Sequence, residues 1–384
     1  MKKMRLFFGP VSAVIAVLIL AAINIYVARG LYRWLALVIP GVNLKAFITI
    51  YALLAVSMIA GFLPLPSAVN AVVGRISAYW MGTFIYLLIC FLAADIVVLL
   101  GRIVRIIPGP VPPDVLFFKG LAALFIALGV ACYGFFNANQ IRFTSYEMDL
   151  QGKSPRDGLK IALISDLHLG SLNAERNLVA IVEKVNGMEA DIVCIAGDIF
   201  NDDVNTLSSP ENVMGLFKSI KSAYGVYACM GNHDGGRKFD SVSGFLAGSG
   251  VRLLNDEYET IGENLIIVGR IDRSPIGGLA EMTRRDISDV LPPQDAGKTV
   301  IVMDHNPARI DEYGKETDLI VAGHTHNGQL FPMNLITNAM YAVQYGHYKK
   351  DADSPHVIVT SGAGTWGPPL RVGSNNEVVC ITLS

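Results

Sequence analysis

Apolar and polar positions divide the chain into two parts with different patterns. Four apolar stretches lie in the first third, at about residues 7–28, 44–65, 78–100 and 115–136. Each is close to the roughly 20 residues that a helix needs to cross a bilayer. Lys2, Lys3 and Arg5 precede the first stretch, as in a signal peptide, but its apolar core is long and three more stretches follow. The pattern predicts a membrane region of four helices over residues 1–140.

From about residue 141 onward, short runs rich in Val and Ile alternate with longer polar stretches. The runs are residues 159–165, 190–197, 225–231, 264–270, 298–304, 318–323, 356–362 and 377–383. Residues 173–186 and 211–223 have helical apolar spacing. Continuous apolar strands are typical of sheets covered on both faces. The pattern therefore predicts a linker over residues 141–158 and then an α/β domain over 159–384, with two packed mixed sheets flanked by helices.

Composition supports a membrane protein and excludes some other classes. Of 384 residues, 52% are hydrophobic and 17% are charged, and the mean hydropathy of +0.43 is high for a soluble protein. The net charge of -2 gives no basic surface for nucleic acid. The five cysteines stand singly in apolar runs, which argues against a disulfide scaffold or a thiolate zinc site.

Charges in and around the apolar stretches leave the side of the membrane open. Five Lys or Arg residues fall on each side of the predicted spans, and Lys119 at the edge of the fourth span slightly favours an external carboxy-terminal domain. Asp95 lies inside the third span, where a carboxylate either has a function or reaches the membrane interface from near the helix end. The sequence predicts a multi-pass protein of the cell membrane.

Five of the apolar runs end in side chains that bind metals. These are Asp166 and His168 in "SDLHLG", Asp198 in "GDIFND", Asn232, His233 and Asp234 in "GNHDGG", His305 in "DHNP", and His324 and His326 in "GHTHNGQ". The carboxyl ends of parallel strands lie along one sheet edge, so these side chains are expected to converge. Mixed carboxylate and imidazole ligands suit zinc, manganese or iron better than magnesium or calcium. The sequence therefore predicts that His324 and His326 bind two neighbouring metals.

The ordered set of these motifs resembles the calcineurin-like metallophosphoesterases. "GHTHNGQ" together with "SGAGTWGPPLR" is similar to the membrane-associated or exported bacterial branch of that family. The resemblance covers about residues 159–384 and implies a four-layer α/β/β/α fold. It departs from the family at "IFNDD" after Asp198 and at Asn327, where glycines are common. Neither departure falls on a ligand, so both bear on substrate fit.

The resemblance also implies a role for each residue. One divalent ion (Mn, Fe or Zn) would be held by Asp166, His168 and His326, and a second by Asn232, His305 and His324, with Asp198 bridging the two. His233 would point at the substrate phosphate, and Asp234 would orient His233 by accepting its second ring proton. Arg237 and Arg371 are candidates for neutralising a substrate phosphate. His347 and His356 are interpreted as structural.

The expected function is that of a membrane-anchored dimetal phosphoesterase. It would hydrolyse a phosphomonoester, phosphodiester or pyrophosphate bond with a metal-activated water. Because the site is anchored at the bilayer, a lipid-linked or envelope phosphate is the narrower expectation. One alternative is a catalytically inactive membrane sensor or scaffold with the same fold. Another is a transporter with an appended domain, but a single embedded carboxylate makes a poor pathway.

Overall fold

The computed structural model describes residues 10–61, 67–150, 158–170, 174–201, 203–276, 278–279, 283–291 and 297–384. The chain divides into two compact units, Met1–Tyr133 and Gly134–Ser384.

The first unit consists of apolar helices. They are α1 (Pro10–Val38), α2 (Leu44–Ala60), α3 (Ser67–Ile103) and most of α4 (Pro113–Asn137). Three segments, Val14–Val38, Val72–Ile103 and Pro113–Asn137, are long and apolar enough to cross a membrane. α2 has 17 residues and is about 26 Å long, shorter than the roughly 30 Å hydrocarbon core. Within the part of this unit that the structure describes, there are four apolar helices, and three of them are long enough to span a membrane.

Asp95 on α3 has partners within the helices of this unit. Its Oδ1 lies 2.5 Å from Lys119 Nζ, and its Oδ2 accepts a hydrogen bond of 2.5 Å from the Tyr26 hydroxyl. The carboxylate therefore joins three helices and has its counter-ion beside it.

The second unit is built on two six-stranded sheets. The strands are β1 (Ile141–Met148), β2 (Leu159–Ile164), β3 (Ile192–Ala196), β4 (Val226–Cys229), β5 (Arg252–Leu253), β6 (Glu257–Ile261), β7 (Leu265–Gly269), β8 (Thr299–Met303), β9 (Leu319–Ala322), β10 (Gly346–Tyr348), β11 (His356–Val359) and β12 (Asn376–Leu383). The strand orders are β1-β12-β2-β3-β4-β5 and β10-β11-β9-β8-β7-β6. Strand pairs β12/β2, β6/β7 and β10/β11 are antiparallel and the others are parallel.

Side chains alternate across the inner strands and create two cores. On β2, Ile161 and Leu163 belong to the core between the sheets, whereas Ala162 and Ile164 belong to the core beneath the helices. The remaining helices are α5 (Ala174–Gly187), α6 (Pro210–Lys218), α7 (Phe239–Gly248) and α8 (Met333–Met340). Residues of α5, α6 and α7 cover the outer face of the first sheet. The predicted class, two packed mixed sheets flanked by helices, is confirmed.

Some predicted boundaries differ from the structure. Residues 141–148, assigned to a linker, form strand β1, which pairs with β12 in parallel; residues 151–157 of that linker lie outside the described residues. The helix predicted at 173–186 is α5, and Asn173 also lies outside the described residues. The helix predicted at 211–223 is α6, which ends at Lys218, where Ser219 caps it through its backbone N–H.

The last turn of α4 belongs to the second unit and is fixed there by hydrogen bonds. The carbonyl of Gly134 accepts from the backbone N–H of Arg371 at 3.0 Å. The buried Asn137 amide donates to the carbonyls of Arg371 at 3.2 Å and Ser374 at 2.9 Å. The second compact unit therefore begins inside the predicted membrane region of residues 1–140, because the end of α4 packs within that unit.

Candidate metal centre

The polar motifs lie just beyond the carboxyl ends of strands in both sheets. In the first sheet, Asp166, Asp198 and Asn232 follow β2, β3 and β4; in the second sheet, His305 and His324 follow β8 and β9. Each loop that follows one of these strands carries one or two candidate ligands. The two packed sheets therefore contribute to one site at the same edge of the domain.

Most of these residues have an unusual backbone conformation. Asp166, His168, Asp198, His324 and His326 all have positive φ, between 46° and 71°. Non-glycine residues rarely adopt this region, and each such residue costs roughly 1–3 kcal/mol. Five of the seven predicted ligands share this strain. Concentrated backbone strain is typical of functional sites, where the surrounding structure holds the side chains in place.

Glycines in the motifs permit the close approach of the ligand segments. A Cβ on Gly231 would overlap the backbone N and the Oδ1 of Asp198, and a Cβ on Gly323 would overlap Ser165 and Asp166. The glycines before Asn232 and His324 are therefore required by packing against the neighbouring ligand loop.

One group of ligand atoms consists of Asp166, His168 and His326. The Nε2 atoms of His168 and His326 are 3.1 Å apart, and His326 Nε2 lies 3.4 Å from Asp166 Oδ1. All three side chains are buried. Their ligand atoms lie within 4.8 Å of one another, close enough to share one ion.

A second group forms around His324. Its Nδ1 lies 2.8 Å from Asn232 Oδ1 and 3.2 Å from His305 Nε2. His305 Nδ1 lies 2.7 Å from the carbonyl of Ala196, to which it donates. The other ring nitrogen, Nε2, therefore faces the site.

Asp198 lies between the two groups. Its Oδ2 is 3.3 Å from His305 Nε2 and 3.8 Å from His168 Nε2, and its Oδ1 accepts the backbone N–H of His233 at 2.8 Å. Asp198 has potential ligand atoms of both groups as neighbours. Asp198 is therefore close enough to side chains of both groups to share an ion with either.

Burial keeps three of the imidazoles neutral. It lowers the pKa of His168 to about 3, that of His324 to about 4 and that of His326 well below its ordinary value. Neutral imidazoles offer the lone pairs that a metal needs. Burial is the largest single influence on His305 and lowers its pKa, but the carboxylates of Asp198, Asp166 and Asp272 together outweigh burial and raise the pKa well above its ordinary value.

The carboxylates balance the same forces. Burial raises the pKa of Asp166 to about 6. Burial acts in the same direction on Asp198, but His305, His168 and His233 together outweigh it and hold the pKa of Asp198 below its usual value. The site thus combines carboxylate oxygens with neutral imidazole nitrogens and an amide oxygen. This donor set fits two divalent ions of the zinc, manganese or iron type.

Arg371 supports the site from behind. Its guanidinium is fully buried, with Nη1 donating to the carbonyl of His326 at 2.9 Å and Nη2 to those of Ser361 at 2.7 Å and Gly364 at 2.6 Å. Burial lowers the pKa of Arg371 to about 10, so it stays charged at neutral pH. The candidate role of Arg371 in neutralising a substrate phosphate is wrong, because its guanidinium binds backbone carbonyls beneath a ligand.

His233 and Asp234 are neighbours in sequence with different surroundings. The His233 ring is partly exposed, 4.9 Å from the His168 ring between centroids, and its Nδ1 lies 3.4 Å from the carbonyl of Asn201. The fully buried Asp234 carboxylate instead accepts backbone N–H groups of Ile199, Phe200 and Gly231 at 2.9–3.1 Å. Asp234 therefore fixes the loop after Asp198. The resemblance implies that Asp234 orients His233, but its carboxylate contacts these backbone groups instead.

Three residues of the site were not predicted. The Trp366 ring lies 6.5 Å from the His233 ring, and the Tyr341 ring lies 6.2 Å from the His324 ring. The Gln329 side chain both donates to and accepts from the backbone of Trp366 at 2.9 Å. Gln329 could have been noticed as a polar residue inside "GHTHNGQ". Trp366 could have been noticed in the same way, since it stands inside "SGAGTWGPPLR". Tyr341 carried no signal, because it lies outside the motifs and meets His324 only through the fold.

The remaining candidates lie apart from the ligand groups. His347 and His356 stack on each other next to Lys349, in agreement with a structural role. Arg237 is exposed at the end of the "GNHDGG" segment.

Comparison with known proteins supports the motif-based family assignment. Residues 159–328 match the sequence profile of the calcineurin-like phosphoesterases. An uncharacterised metallophosphoesterase of Helicobacter pylori is 31% identical over 59% of this chain and 60% of its own length. One of Aquifex aeolicus is 28% identical over 68% of this chain and 98% of its own length.

A eukaryotic relative also combines such a domain with a membrane region. The transmembrane protein with metallophosphoesterase domain of Danio rerio is 29% identical over 70% of this chain and 63% of its own length. The chain matches less than two thirds of the Helicobacter and Danio relatives. The profile match, these relatives and the order of the motifs agree, and the chain carries a calcineurin-like metallophosphoesterase domain.

Proposed function

We propose that this protein is a membrane-anchored phosphoesterase that uses two divalent metal ions. The observation that carries the proposal is the position of Asp198, whose Oδ2 lies between His168 on one side and His305 on the other. A carboxylate in this position is able to bind two neighbouring ions at once.

The ligand groups divide the two ions between them. Asp166, His168 and His326 would hold one ion, and Asn232, His305 and His324 the other, with Asp198 in common. When bound, manganese, iron or zinc ions would activate a water and neutralise charge on the phosphate.

His233 is the group best placed to act on the substrate. Its backbone is fixed by Asp198, and its ring stands over His168 at the open side of the site. A histidine in this position donates a hydrogen bond to a phosphate oxygen or a proton to the leaving oxygen. Asp234 acts indirectly, since it fixes the backbone of the loop that carries Asp198.

An inactive sensor or scaffold with the same fold is the alternative. A domain that has lost its activity no longer needs the strained ligand conformations, yet five ligands keep positive φ. The complete ligand set and His233 favour an enzyme.

The substrate is a phosphate ester or a pyrophosphate. The apolar helices hold the domain at a bilayer, and this favours a phosphate carried by a lipid or another envelope component. Equal activity on a soluble phosphate ester and on the same group carried by a bilayer lipid would contradict this narrower part.

Hydrolysis of bis-p-nitrophenyl phosphate and p-nitrophenyl phosphate by the detergent-purified full-length protein tests the proposal. The protein is first stripped with a chelator and then refilled with manganese, zinc or iron. Turnover that disappears with the chelator and returns with one of these ions is the expected result. Two bound ions per chain without turnover on these esters or on lipid phosphates would favour the scaffold.

A further inference from the structure

Helix α8 has its apolar side chains on the outside. Met333, Leu335, Ile336 and Met340 are exposed, the last by 70% of its surface, and so is Phe331 just before the helix. The partly buried residues of α8 are instead the polar Asn334 and Thr337, and Thr337 hydrogen-bonds to Gln344. A helix on a water-exposed surface has the opposite arrangement, with its apolar side turned to the core.

The surrounding sequence carries no charge. No Asp, Glu, Lys or Arg occurs between His326 and Lys349. An exposed apolar patch of this kind marks a surface that contacts a membrane or another protein. We call residues Phe331–Met340 the apolar rim.

Two contacts place the apolar rim between the end of a membrane helix and the metal centre. At its start, the backbone N–H of Phe331 donates to the carbonyl of Val372 at 2.7 Å, and the preceding Arg371 donates its N–H to Gly134 in the last turn of α4. At its end, Tyr341 caps α8 and lies beside His324, a proposed ligand. The apolar rim, about 12 Å of helix, therefore runs from residues next to the last turn of α4 to the side of His324.

We propose that the apolar rim is immersed in the interfacial region of the bilayer. The membrane is favoured over a second copy of the chain because the rim begins at the same two-residue segment, Arg371–Val372, that fixes the end of α4. Burial of exposed Leu, Ile and Met side chains in lipid is favourable. Because the segment carries no charged side chain, no charge has to be desolvated. If the proposed function holds, the contact also presents the metal centre to phosphate groups at the level of the lipid headgroups.

An environment-sensitive fluorophore tests the contact without reference to hydrolysis. The full-length protein, with Cys90→Ala and Cys132→Ala to remove the accessible thiols, carries the dye NBD at Leu335→Cys. The matched control carries NBD at Val179→Cys, on α5, where an apolar residue is 43% exposed. Both are placed in nanodiscs of phosphatidylethanolamine and phosphatidylglycerol, with and without doxyl-labelled phosphatidylcholine.

The expected result is a blue-shifted emission at position 335 that the doxyl lipid quenches, and a water-like, unquenched emission at position 179. Water-like emission at both positions would overturn the proposal. A blue shift at 335 without lipid quenching would also overturn it, since the rim would then be covered by protein, as in a dimer. Unchanged metal content in the labelled variants confirms that the fold is intact.

Discussion

Two pairs of stacked histidines in the second unit have nearly the same geometry and opposite surroundings. In the candidate metal centre, His168 and His326 have ring centroids 5.1 Å apart and Nε2 atoms 3.1 Å apart. At the strands β10 and β11, the rings of His347 and His356 are also 5.1 Å apart, with nitrogens at 2.9 Å. The inner pair is buried with Asp166 and Asp198 around it. The outer pair has Lys349 Nζ at 3.1 Å from His356.

In these two pairs, the neighbouring carboxylates, and not the proximity of the imidazoles, distinguish the candidate metal site from the other pair. Divalent cations need negative charge beside neutral nitrogen, and an ammonium group opposes them. The same reasoning separates Asp95 from Asp198. Asp95 has Lys119 as a counter-ion within the protein, whereas Asp198 lies among imidazoles that are themselves available as ligands.

The largest effect is expected from removing the shared carboxylate charge. Asp198→Asn removes a carboxylate that the inner pair has beside it and the outer pair lacks. This substitution should abolish binding of both ions. Loss of metal assistance costs several kcal/mol of transition-state stabilisation, on the order of a thousandfold in turnover. Metal analysis and hydrolysis of bis-p-nitrophenyl phosphate measure the two effects. Asp95→Asn is the control, and equal metal loss in that variant would contradict the distinction.

His233→Gln should separate chemistry from metal binding. His233 lies close enough to His168 and Asp198 to share an ion with them, but the proposed function assigns its ring to the substrate, so both ions should remain bound. Loss of an acid or hydrogen-bond donor at the phosphate lowers turnover by about 10²- to 10⁴-fold. Metal content and kcat measured on the same preparation test this, and loss of the ions in His233→Gln would refute the assigned role.

A smaller effect is expected at the support of the inner pair. Arg371→Met removes the donor that holds the His326 carbonyl and should weaken metal affinity or activity by about 10- to 100-fold. Arg371→Lys keeps the charge but cannot span the three carbonyls, so it should restore little. Titration with a metal-sensitive dye measures the affinity. Full restoration by lysine would mean that charge alone matters.

The smallest effect concerns the outer pair and pH. Burial and then Lys349 lower the pKa of both His347 and His356. The unfolded chain therefore binds more protons below about pH 6.5, and the contribution of this pair to stability falls as the pH drops through that value. The difference between the melting temperatures at about pH 7.5 and pH 5.5 should be smaller in the His347→Gln, His356→Gln double variant than in the unmodified protein. An identical temperature difference in both proteins would contradict the lowered pKa values of the two histidines.

The strands that the sequence predicted and those it missed differ by position in the sheets. All eight predicted apolar runs are interior strands, buried on both faces. The four missed strands, β1, β5, β6 and β10, are the four sheet edges. Edge strands are half exposed or very short, as in "IRFTSYEM" of β1 and the two residues of β5. Their polar residues conceal the alternation on which such predictions depend.

The convergence of the candidate ligand residues could be predicted from the sequence, and the contacts that support them less so. Ligands stand at strand ends, and their convergence follows from the sheet alone. The contacts of Asp234 and Arg371 with backbone groups could not be foreseen, because neighbouring residues in a motif need not touch. The apolar rim was hidden as well, since the short α8 has no buried apolar side to reveal a helix.

Metal content of two matched variants tests the central claim most directly. His326→Gln and His356→Gln each remove one histidine of a stacked pair, and both are analysed by elemental mass spectrometry after refilling with manganese or zinc. The account predicts that His356→Gln keeps two ions per chain and that His326→Gln loses at least one of them together with phosphoesterase activity. Full occupancy and turnover in His326→Gln, or equal loss in both variants, would contradict it.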